Sequence, residues 1–334
     1  MNEVFISVDE AVSILDGGGN VAIPTETVYG LAAKISNESA LRSIFEIKNR
    51  PFFDPLIVHV SSMDQARSLT SAWTPLVQTL AEKFWPGPLT LVLPKTKQVS
   101  DLITSGLDTV AIRMPRHPLA LEIIKKLGEP LAAPSANRFG KTSPSAALHV
   151  AQEFNHRVPV VEGGNCDVGI ESTIIKIEER GEVTSPTRLQ VQFLRYGAIV
   201  EADIRAVLND RTKEIIFTHP GSKIEAPGQI KHHYMPPIPL IMIDEKIWKS
   251  KGSDINSINK EFRTNFCHPS ILQLSDKPEQ AARELYSQLR ACSTEPFDSI
   301  VFIKTSKHQG EFWRALLDRL RRAATFHLEE DGGH

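Results

Sequence analysis

Residues 21–31 read VAIPTETVYGL, and this stretch decides how the amino-terminal half of the chain folds. Its first three residues are apolar and are followed by Pro24, a pattern that predicts a short buried strand. Thr25, Glu26 and Thr27 come next, where the carboxyl end of a strand in an α/β sheet opens into a cleft. This strand end is therefore a candidate ligand site. Local chemistry alone favours a simpler alternative, an ordinary strand-to-helix connection with a threonine cap.

Helical and strand-like patterns alternate on both sides of this stretch. Upstream, Ser7 and Glu10 have the spacing of a capping box, and apolar residues at helical spacing follow as far as Gly17. Downstream, Asn37 is a candidate cap for a second helix. Short β-like segments follow at 56–60, 90–93, 110–113, 131–133, 158–161, 172–177 and 192–194, with helices at 118–127, 146–154 and 202–208. The alternation predicts an α/β fold with one twisted mixed sheet flanked by helices.

The length of 334 residues exceeds the usual size of one domain, so two hydrophobic cores are expected. Five prolines and two glycines lie between residues 218 and 240, a density that disfavours a helix and predicts a linker. Beyond it, β-like segments at 240–243 and 300–303 and helical patterns at 281–289 and 314–322 predict a smaller α/β unit. The predicted domains are residues 1–217 and 240–334, joined by a linker at 218–239.

The composition argues against several classes of protein. A formal net charge of −2 lacks the basic excess of a protein that holds many phosphates, so stable nucleic-acid binding is not expected. The apolar runs are too short to cross a bilayer and no signal-peptide pattern is visible, so a cytoplasmic protein without membrane contact is expected. The three cysteines are far apart, and the adjacent His232 and His233 suit a chelate poorly. No metal site built from protein ligands is predicted.

Four basic side chains are candidates for binding anions. Lys48 and Arg50 lie two residues apart in a predicted loop, and such a pair suits phosphate groups, although a basic pair on a solvated loop is more often inert. Arg113 and Arg195 follow apolar strands, where a charged side chain needs a carboxylate or a ligand as its partner. For these two arginines, partner and ligand remain equally good interpretations.

Two turns rich in small and hydroxylic residues are candidates for holding phosphates through their backbone amides. The first, at 132–145, contains Ser135, Asn137 and Ser143, and the second, at 163–173, contains Ser172. Neither has the P-loop pattern or the glycine fingerprint of a dinucleotide site. Plain turns are the alternative interpretation of both.

Taken in order, these segments resemble the threonylcarbamoyl-AMP synthase family in its long form, which has a YrdC-like domain and a carboxyl-terminal extension. The matching segments are PTETVYGL at 24–31, KxRP at 48–51, PLxxH at 55–59, WPGPLT at 85–90, RxP at 113–115, PSAN at 134–137, EST at 171–173 and LR at 194–195. PG at 227–228 and HYxP at 233–236 resemble the linker that closes over the active site in the long form. The extension matches chiefly at 318–324.

The resemblance implies a fold and an activity. The fold would be a YrdC-like twisted mixed sheet flanked by helices, followed by a smaller Rossmann-like α/β domain. The activity would be that of an L-threonylcarbamoyladenylate synthase, a nucleotidyltransferase that uses L-threonine, bicarbonate and ATP, with Mg²⁺ accompanying ATP. Threonylcarbamoyl-AMP would pass to other proteins that install N6-threonylcarbamoyladenosine in tRNA.

The resemblance also implies roles for individual residues. Those implied to hold threonine are Thr27, His59, Arg113 and Ser172. Those implied to line the nucleotide are Lys48, Arg50, Asp54, Thr109, Ser135, Asn137, Ser143, Arg195 and Tyr234. Lys48, Arg50 and Arg195 would be the catalytic cations, because fixed positive charges offset the charge that builds on a transferring phosphoryl group.

The chain departs from the family pattern at Asp54, where Asn is usual, at Tyr196, and at residues 231–232. A carboxylate near triphosphate oxygens is repulsive unless Mg²⁺ or Arg50 neutralises it. Two other functions stay open, a double-stranded RNA-binding module and a carbamoyl-transfer maturation enzyme. The near-neutral charge disfavours the first, and the zinc-finger and acyl-phosphatase modules expected for the second are not seen in the sequence.

Overall fold

The computed structural model describes residues 4–180, 188–208, 215–221, 225–228 and 233–329. The chain divides into two compact units, Met1–Phe139 with Ser143–Gln229, and Gly140–Thr142 with Ile230–His334. Of the predicted linker, residues 225–228 belong to the first unit and residues 233–239 to the second. Residues 222–224 and 229–232, which include Lys231 and His232, lie outside the described residues.

The elements of the first unit are, in order, β1 (Phe5–Ile6), α1 (Val8–Asp16), β2 (Val21–Ile23), β3 (Gly30–Lys34), α2 (Glu38–Lys48), β4 (Ile57–His59), α3 (Met63–Leu69), α4 (Pro75–Phe84), β5 (Leu89–Pro94), α5 (Asp101–Thr104), β6 (Thr109–Arg113), α6 (Pro118–Leu127), β7 (Leu131–Ala132), α7 (Ala147–Glu153), β8 (Val160–Val161), β9 (Thr173–Arg180), β10 (Arg188–Arg195), α8 (Glu201–Leu208) and β11 (Ile215–Thr218). Their strands pair in the order β1-β8-β2-β3-β7-β4-β6-β5-β9-β10-β11. The sheet contains both parallel and antiparallel pairs, which confirms the predicted twisted mixed sheet.

The helix caps form as the sequence predicts. The Ser7 hydroxyl accepts the backbone N–H of Glu10, and the Glu10 carboxylate accepts the N–H of Ser7 at 2.8 Å, which completes the capping box of α1. Asn37 caps α2 through its side-chain oxygen, which accepts the N–H of Ala40. Gly128 ends α6 at a φ of 72°, a left-handed conformation that glycine adopts without strain. Apolar faces of these helices pack on the sheet and form its core.

Residues 24–29 join two antiparallel strands, so the alternative of a strand-to-helix connection is wrong. Gly30–Lys34 forms β3 and pairs with β2, with Ile23 opposite Gly30. The sequence does not predict β3, because its small residues are buried on both faces and show no alternation of apolar and polar positions. Residues 24–29 are therefore the loop between β2 and β3, and the pairing of these strands fixes both of its ends.

The elements of the second unit are β12 (Leu240–Asp244), α9 (Glu245–Ser250), α10 (Ile255–Phe262), β13 (Pro269–Ile271), α11 (Pro278–Ala291), β14 (Ser299–Lys304), α12 (Glu311–Ala323) and β15 (Phe326–Leu328). The four strands are parallel, in the order β13-β14-β12-β15. Continuously apolar β12 lies near the middle and is buried, as is typical of a parallel sheet between helices. The predicted smaller α/β unit is confirmed. None of the described helices has the length and apolar character needed to cross a lipid bilayer.

Candidate active site

The β2–β3 loop is fixed by hydrogen bonds to one threonine hydroxyl. Thr25 Oγ1 donates to the Val28 carbonyl at 2.6 Å and accepts the N–H groups of Thr27 and Val28, each at 3.2 Å. Thr25 Oγ1 and Thr27 Oγ1 are 2.9 Å apart. The whole turn is buried, so its polar groups need these partners. The loop therefore presents Thr27 in one defined orientation.

Strands β4 and β6 bring His59 and Arg113 side by side. The two strands are parallel neighbours, and His59 lies opposite Arg113 in their register. Both residues stand at the carboxyl end of their strand, and both side chains are buried. Sequence reasoning placed each at a strand end, and the sheet order makes them adjacent.

The Arg113 guanidinium is engaged on all three of its nitrogens. Nη1 donates to the Thr27 hydroxyl at 2.8 Å, and Nε donates to the Gly87 carbonyl at 3.2 Å. Nη2 lies 2.8 Å from Glu26 Oε1 in a buried ion pair that is close without the alignment of a hydrogen bond. Arg113 thus has the carboxylate partner that its strand-end position requires, and it is tied to the β2–β3 loop.

Glu26 lies in the candidate ligand site and in the PTETVYGL segment, but no individual role is predicted for it from the sequence. Its side chain is 1% exposed, and its Oε2 accepts the backbone N–H of Arg116 at 3.0 Å. Its carbonyl accepts the N–H of Val168 at 2.7 Å. The only signal in the sequence is that a buried strand-end arginine needs a carboxylate, and it does not say which one.

His59 is uncharged at neutral pH. Burial lowers its pKa to about 3, and the positive charge of Arg113 lowers the pKa further, against a smaller opposing effect of a backbone hydrogen bond at Ile57. Its Nδ1 is buried and has no hydrogen-bond partner among the described residues. A neutral imidazole with an unsatisfied ring nitrogen is suited to a small polar ligand.

Ser172 connects Thr90 to Arg195. Its hydroxyl lies 2.7 Å from Thr90 Oγ1 and accepts from Arg195 Nη2 at 3.0 Å. Arg195 Nε donates to the Ser172 carbonyl at 3.0 Å, and its Nη1 donates to the carbonyl of Pro227 at 3.3 Å. Thr90 was not predicted to take part. Arg195 is the junction where β9, β10 and residues 225–228 meet.

Lys48 is buried and holds the turn that contains Ser135 and Asn137. Its Nζ donates to the Ser135 carbonyl at 2.5 Å and also donates to the Asn137 carbonyl. Its own carbonyl accepts the N–H of Phe139 at 2.7 Å. Burial lowers the pKa of Lys48 well below its usual value, and the neighbouring Arg50 lowers the pKa further. The interpretation of Lys48 as an inert cation on a solvated loop is wrong.

Arg50 and Asp54, four residues apart in the sequence, form a buried ion pair. Arg50 Nη2 lies 2.9 Å from Asp54 Oδ2, and the Asp54 side chain is not exposed at all. Arg50 also donates to the carbonyls of Asp54 and Pro55, at 3.1 and 2.7 Å. Burial raises the pKa of Asp54, while Arg50, Lys48 and Arg195 act in the opposite direction. Asp54 is therefore neutralised by Arg50 within the protein itself.

Lys48, Arg50, Asp54 and Arg195 make up what we call the cation cluster. Electrostatic interactions link Asp54 to all three cations, and Glu153 also acts on Lys48. Burial of these cations is costly, and an anion placed beside them offsets part of that cost. This is the arrangement expected of a phosphate-binding site.

The remaining residues predicted to line the nucleotide are Thr109, Ser143 and Tyr234. Thr109 begins β6 and so lies at the opposite end of that strand from Arg113, roughly 13 Å away by the rise of a strand. Ser143 is completely buried, and its hydroxyl has no hydrogen-bond partner among the described residues. Tyr234 belongs to the second unit, where it is also buried. In the described part of the chain, no three His, Cys, Asp or Glu side chains are grouped as metal ligands.

Comparison with known proteins places the chain in a family. A family model described as "Telomere recombination" matches residues 13–187, and one described as "Threonylcarbamoyl-AMP synthase, C-terminal domain" matches residues 199–325. The chain belongs to the threonylcarbamoyl-AMP synthase family. Synthesis of a threonylcarbamoyl adenylate is a nucleotidyltransferase reaction, so the predicted class of enzyme is confirmed.

Relatives match this chain along nearly its whole length. A threonylcarbamoyl-AMP synthase of Pyrococcus abyssi is 34% identical, with 95% of this chain and 94% of the relative aligned, and one of Bacillus subtilis is 35% identical, with 94% and 92% aligned. The crystal structure of P. abyssi Sua5 complexed with L-threonine matches with a TM-score of 0.82 at 34% identity, over 96% of each chain. This agreement over both units favours the synthase over the RNA-binding and carbamoyl-transfer alternatives.

Replacement of His59 should flatten the acid side of the stability profile. The pKa of about 3 in the folded chain lies below the ordinary value of 6.5, so only the unfolded chain takes up this proton as the pH falls from 6.5 towards 3. Unfolding free energy should therefore fall by about 1.4 kcal/mol per pH unit in that window because of His59. His59→Gln should remove this component in urea unfolding curves measured at pH 7, 6 and 5.

His156→Asn is the control for this measurement. His156 is exposed and has a φ of 56°, a left-handed conformation that asparagine tolerates. The control should keep the pH dependence of the wild type. If the dependence of unfolding free energy on pH is unchanged in His59→Gln, His59 is not the group whose pKa is lowered on folding.

Glu26 and Arg113 should be strongly coupled in a double-mutant cycle. Each single change, Glu26→Ala or Arg113→Ala, leaves an unpaired buried charge and should cost about 3 kcal/mol or more of unfolding free energy. The double variant should cost clearly less than the sum of the two, with a coupling of about 2 kcal/mol. The exposed pair Arg67 and Asp64, 3.0 Å apart, is the control and should couple by less than about 1 kcal/mol. Equal coupling in the two cycles would contradict the structural role of Glu26.

Proposed function

We propose that this chain joins L-threonine, bicarbonate and ATP into threonylcarbamoyl-AMP and pyrophosphate. The observation that carries the proposal is the contrast between two buried sites of the first unit. At one, Arg113 is neutralised by Glu26 beside an uncharged His59. At the other, the cation cluster gathers three cations around Asp54. A zwitterion such as threonine suits the first, and the triphosphate of ATP suits the second.

On the threonine side, Arg113 keeps hydrogen-bonding capacity for a carboxylate. A guanidinium has five N–H donors, and Thr27 and Gly87 take one each. Nη1 and Nη2 therefore each keep an N–H for the two oxygens of a substrate carboxylate, in the bidentate geometry that arginine favours. Because Glu26 already offsets the charge, this grip depends on hydrogen-bond geometry more than on net attraction.

The buried Nδ1 of His59 supports a second contact with threonine. A neutral imidazole nitrogen accepts a hydrogen bond, and the amine and hydroxyl of threonine both donate. The P. abyssi relative whose structure resembles this chain was crystallised with L-threonine. The hydroxyls of Thr27 and Ser172 complete the set of groups proposed to orient threonine.

The proposed chemistry has two steps. The amine of threonine forms a C–N bond with the carbon of bicarbonate, and water leaves, giving N-carboxythreonine. A carboxylate oxygen of this adduct then attacks the α-phosphorus of ATP, a new O–P bond forms, and the bond to the bridging oxygen of pyrophosphate breaks. No covalent intermediate with the protein is needed, so the protein positions the reactants and offsets their charge.

Lys48, Arg50 and Arg195 are proposed to offset charge on the phosphoryl oxygens. Lys48 has three N–H donors and uses two on carbonyls, so one remains for a phosphate. Mg²⁺ is proposed to enter with ATP. The described residues of the cation cluster offer it only Asp54, which Arg50 already neutralises, so phosphate oxygens and water would supply its remaining ligands.

The remaining proposals rest on the family resemblance. Asn137, Ser135, Ser143, Thr109 and Tyr234 are proposed to line the nucleotide, and the linker is proposed to shield the labile adduct from water. The product would pass to cytoplasmic proteins that modify tRNA.

The proposed activity is tested by following both products. The purified full-length chain is incubated with ATP, Mg²⁺, threonine and labelled bicarbonate, and pyrophosphate and labelled threonylcarbamoyl-AMP are measured. We expect both products in equal amounts, dependent on threonine. Serine and valine are the matched controls, since serine lacks the methyl group of threonine and valine lacks its hydroxyl. Pyrophosphate release that ignores threonine would overturn the proposed function.

Asp54→Asn should strengthen ATP binding and weaken the fold. The change removes the one negative charge of the cation cluster, so the KM for ATP should fall about threefold or more, while the KM for threonine should stay constant. Unfolding free energy should drop by about 1 to 3 kcal/mol, because Arg50 loses its counter-charge. Steady-state kinetics and urea unfolding measure the two effects. A rise in the KM for ATP would show instead that Asp54 supports nucleotide binding.

A further inference from the structure

Residues Gly140–Thr142 are counted with the second unit, although the residues on both sides of them belong to the first. The chain therefore enters the second unit briefly, long before the linker. The three residues lie between Phe139, which contacts Lys48, and the buried Ser143. Contacts that hold residues 140–142 therefore also restrain Phe139 and Ser143 on either side of them.

A backbone bridge holds this segment to the residues that begin the second unit. The N–H of Met235 donates to the Gly140 carbonyl at 2.8 Å, and the N–H of Thr142 donates to the Met235 carbonyl at 3.2 Å. These bonds pair Lys141 with Met235 in a parallel bridge. The Thr142 hydroxyl also donates to the Tyr234 carbonyl, at 3.3 Å.

Arg290 makes the shortest contact with the segment. Its Nη2 donates to the Thr142 carbonyl at 2.6 Å. Arg290 stands near the end of α11, whose opposite face is buried through Ala281, Leu285 and Leu289. Because a packed helix carries this side chain, Arg290 ties the Thr142 carbonyl to the core of the second unit.

The other partner of the segment is rigidly placed as well. Tyr234 is buried and has a φ of 67°, which costs free energy for a residue with a side chain and persists only where the surroundings impose it. Its ring stacks on Tyr286 with centroids 6.0 Å apart, and the Arg319 guanidinium lies 5.6 Å from its centroid. Residues 140–142 are therefore clamped between two well-packed parts of the second unit.

We propose that Arg290 is a positioning residue for the phosphate side of the active site. It fixes the Thr142 carbonyl and, through the backbone, the positions of Ser143 and of the 135–139 turn. That turn supplies the two carbonyls that hold Lys48 Nζ. The inference rests on the proposed function, in which these groups face ATP. A displacement of about 1 Å in a catalytic group slows a reaction strongly, so the hydrogen bond from Arg290 would affect the rate.

The test compares Arg290→Ala with Arg283→Ala, an exposed arginine on the same helix. Loss of a hydrogen bond from a charged donor should raise the KM for ATP about tenfold in Arg290→Ala. The KM for threonine should change less than the KM for ATP, because this turn is linked to the β2–β3 loop only indirectly, through contacts such as that of the Pro144 carbonyl with the N–H of Tyr29 at 2.9 Å. Arg290→Lys should recover much of the loss, since lysine can donate to the same carbonyl. Arg283→Ala should match the wild type.

Hydrogen exchange gives a readout that does not depend on activity. In Arg290→Ala, amides of residues 140–145 should exchange faster, while amides of β6 should be unchanged. If Arg290→Ala shows wild-type kinetics and exchange, or if both KM values and the melting temperature shift together, the positioning role is overturned. If the wild type makes no threonylcarbamoyl-AMP, the proposed function fails, and faster exchange would still establish the clamp.

Discussion

The buried ion pair between Arg113 and Glu26 is the interaction on which the proposed threonine site depends. Two charges taken out of water cost several kcal/mol each, and only close pairing and further hydrogen bonds offset that cost. Glu26 has both, since Arg113 pairs with one oxygen and the N–H of Arg116 with the other. The pair locks the β2–β3 loop to the end of β6. It thereby fixes Thr27, while the charge of Arg113 helps to keep the adjacent His59 neutral.

The cation cluster follows a different electrostatic rule. Asp54 acts on Lys48, Arg50 and Arg195 together, Glu153 also acts on Lys48, and all three cations are buried. Burial and mutual repulsion then lower the pKa of Lys48. A bound polyanion would add negative charge beside these cations and so favour their charged forms. In the proposed reaction that anion is the triphosphate of ATP, and the carbonyls of Ser135 and Asn137 hold Lys48 in place.

Local patterns in the sequence predict the elements of the fold well, and contacts between distant residues poorly. The Ser7 capping box and the Asn37 cap are local, so they were predictable, and the small, doubly buried β3 was not. Arg113 could be predicted to need a partner, yet 86 residues separate it from Thr27, and only the order of the strands brings them together. The family resemblance supplied candidates such as Ser172. It includes Glu26 and Thr90 in its matching segments but implies no role for either, and their partners are visible only as contacts in the structure.

The two sites also exclude each other's ligand in the proposed reaction. A triphosphate placed beside Arg113 would lie close to the fixed carboxylate of Glu26 and would be repelled by it. Threonine placed in the cation cluster would bring one carboxylate but also an ammonium group, which Lys48, Arg50 and Arg195 repel. Such discrimination does not require a contact that fits the shape of either substrate, because it follows from the positions of Glu26 and Asp54. Glu26 pairs with Arg113 in one site, and Asp54 pairs with Arg50 in the other.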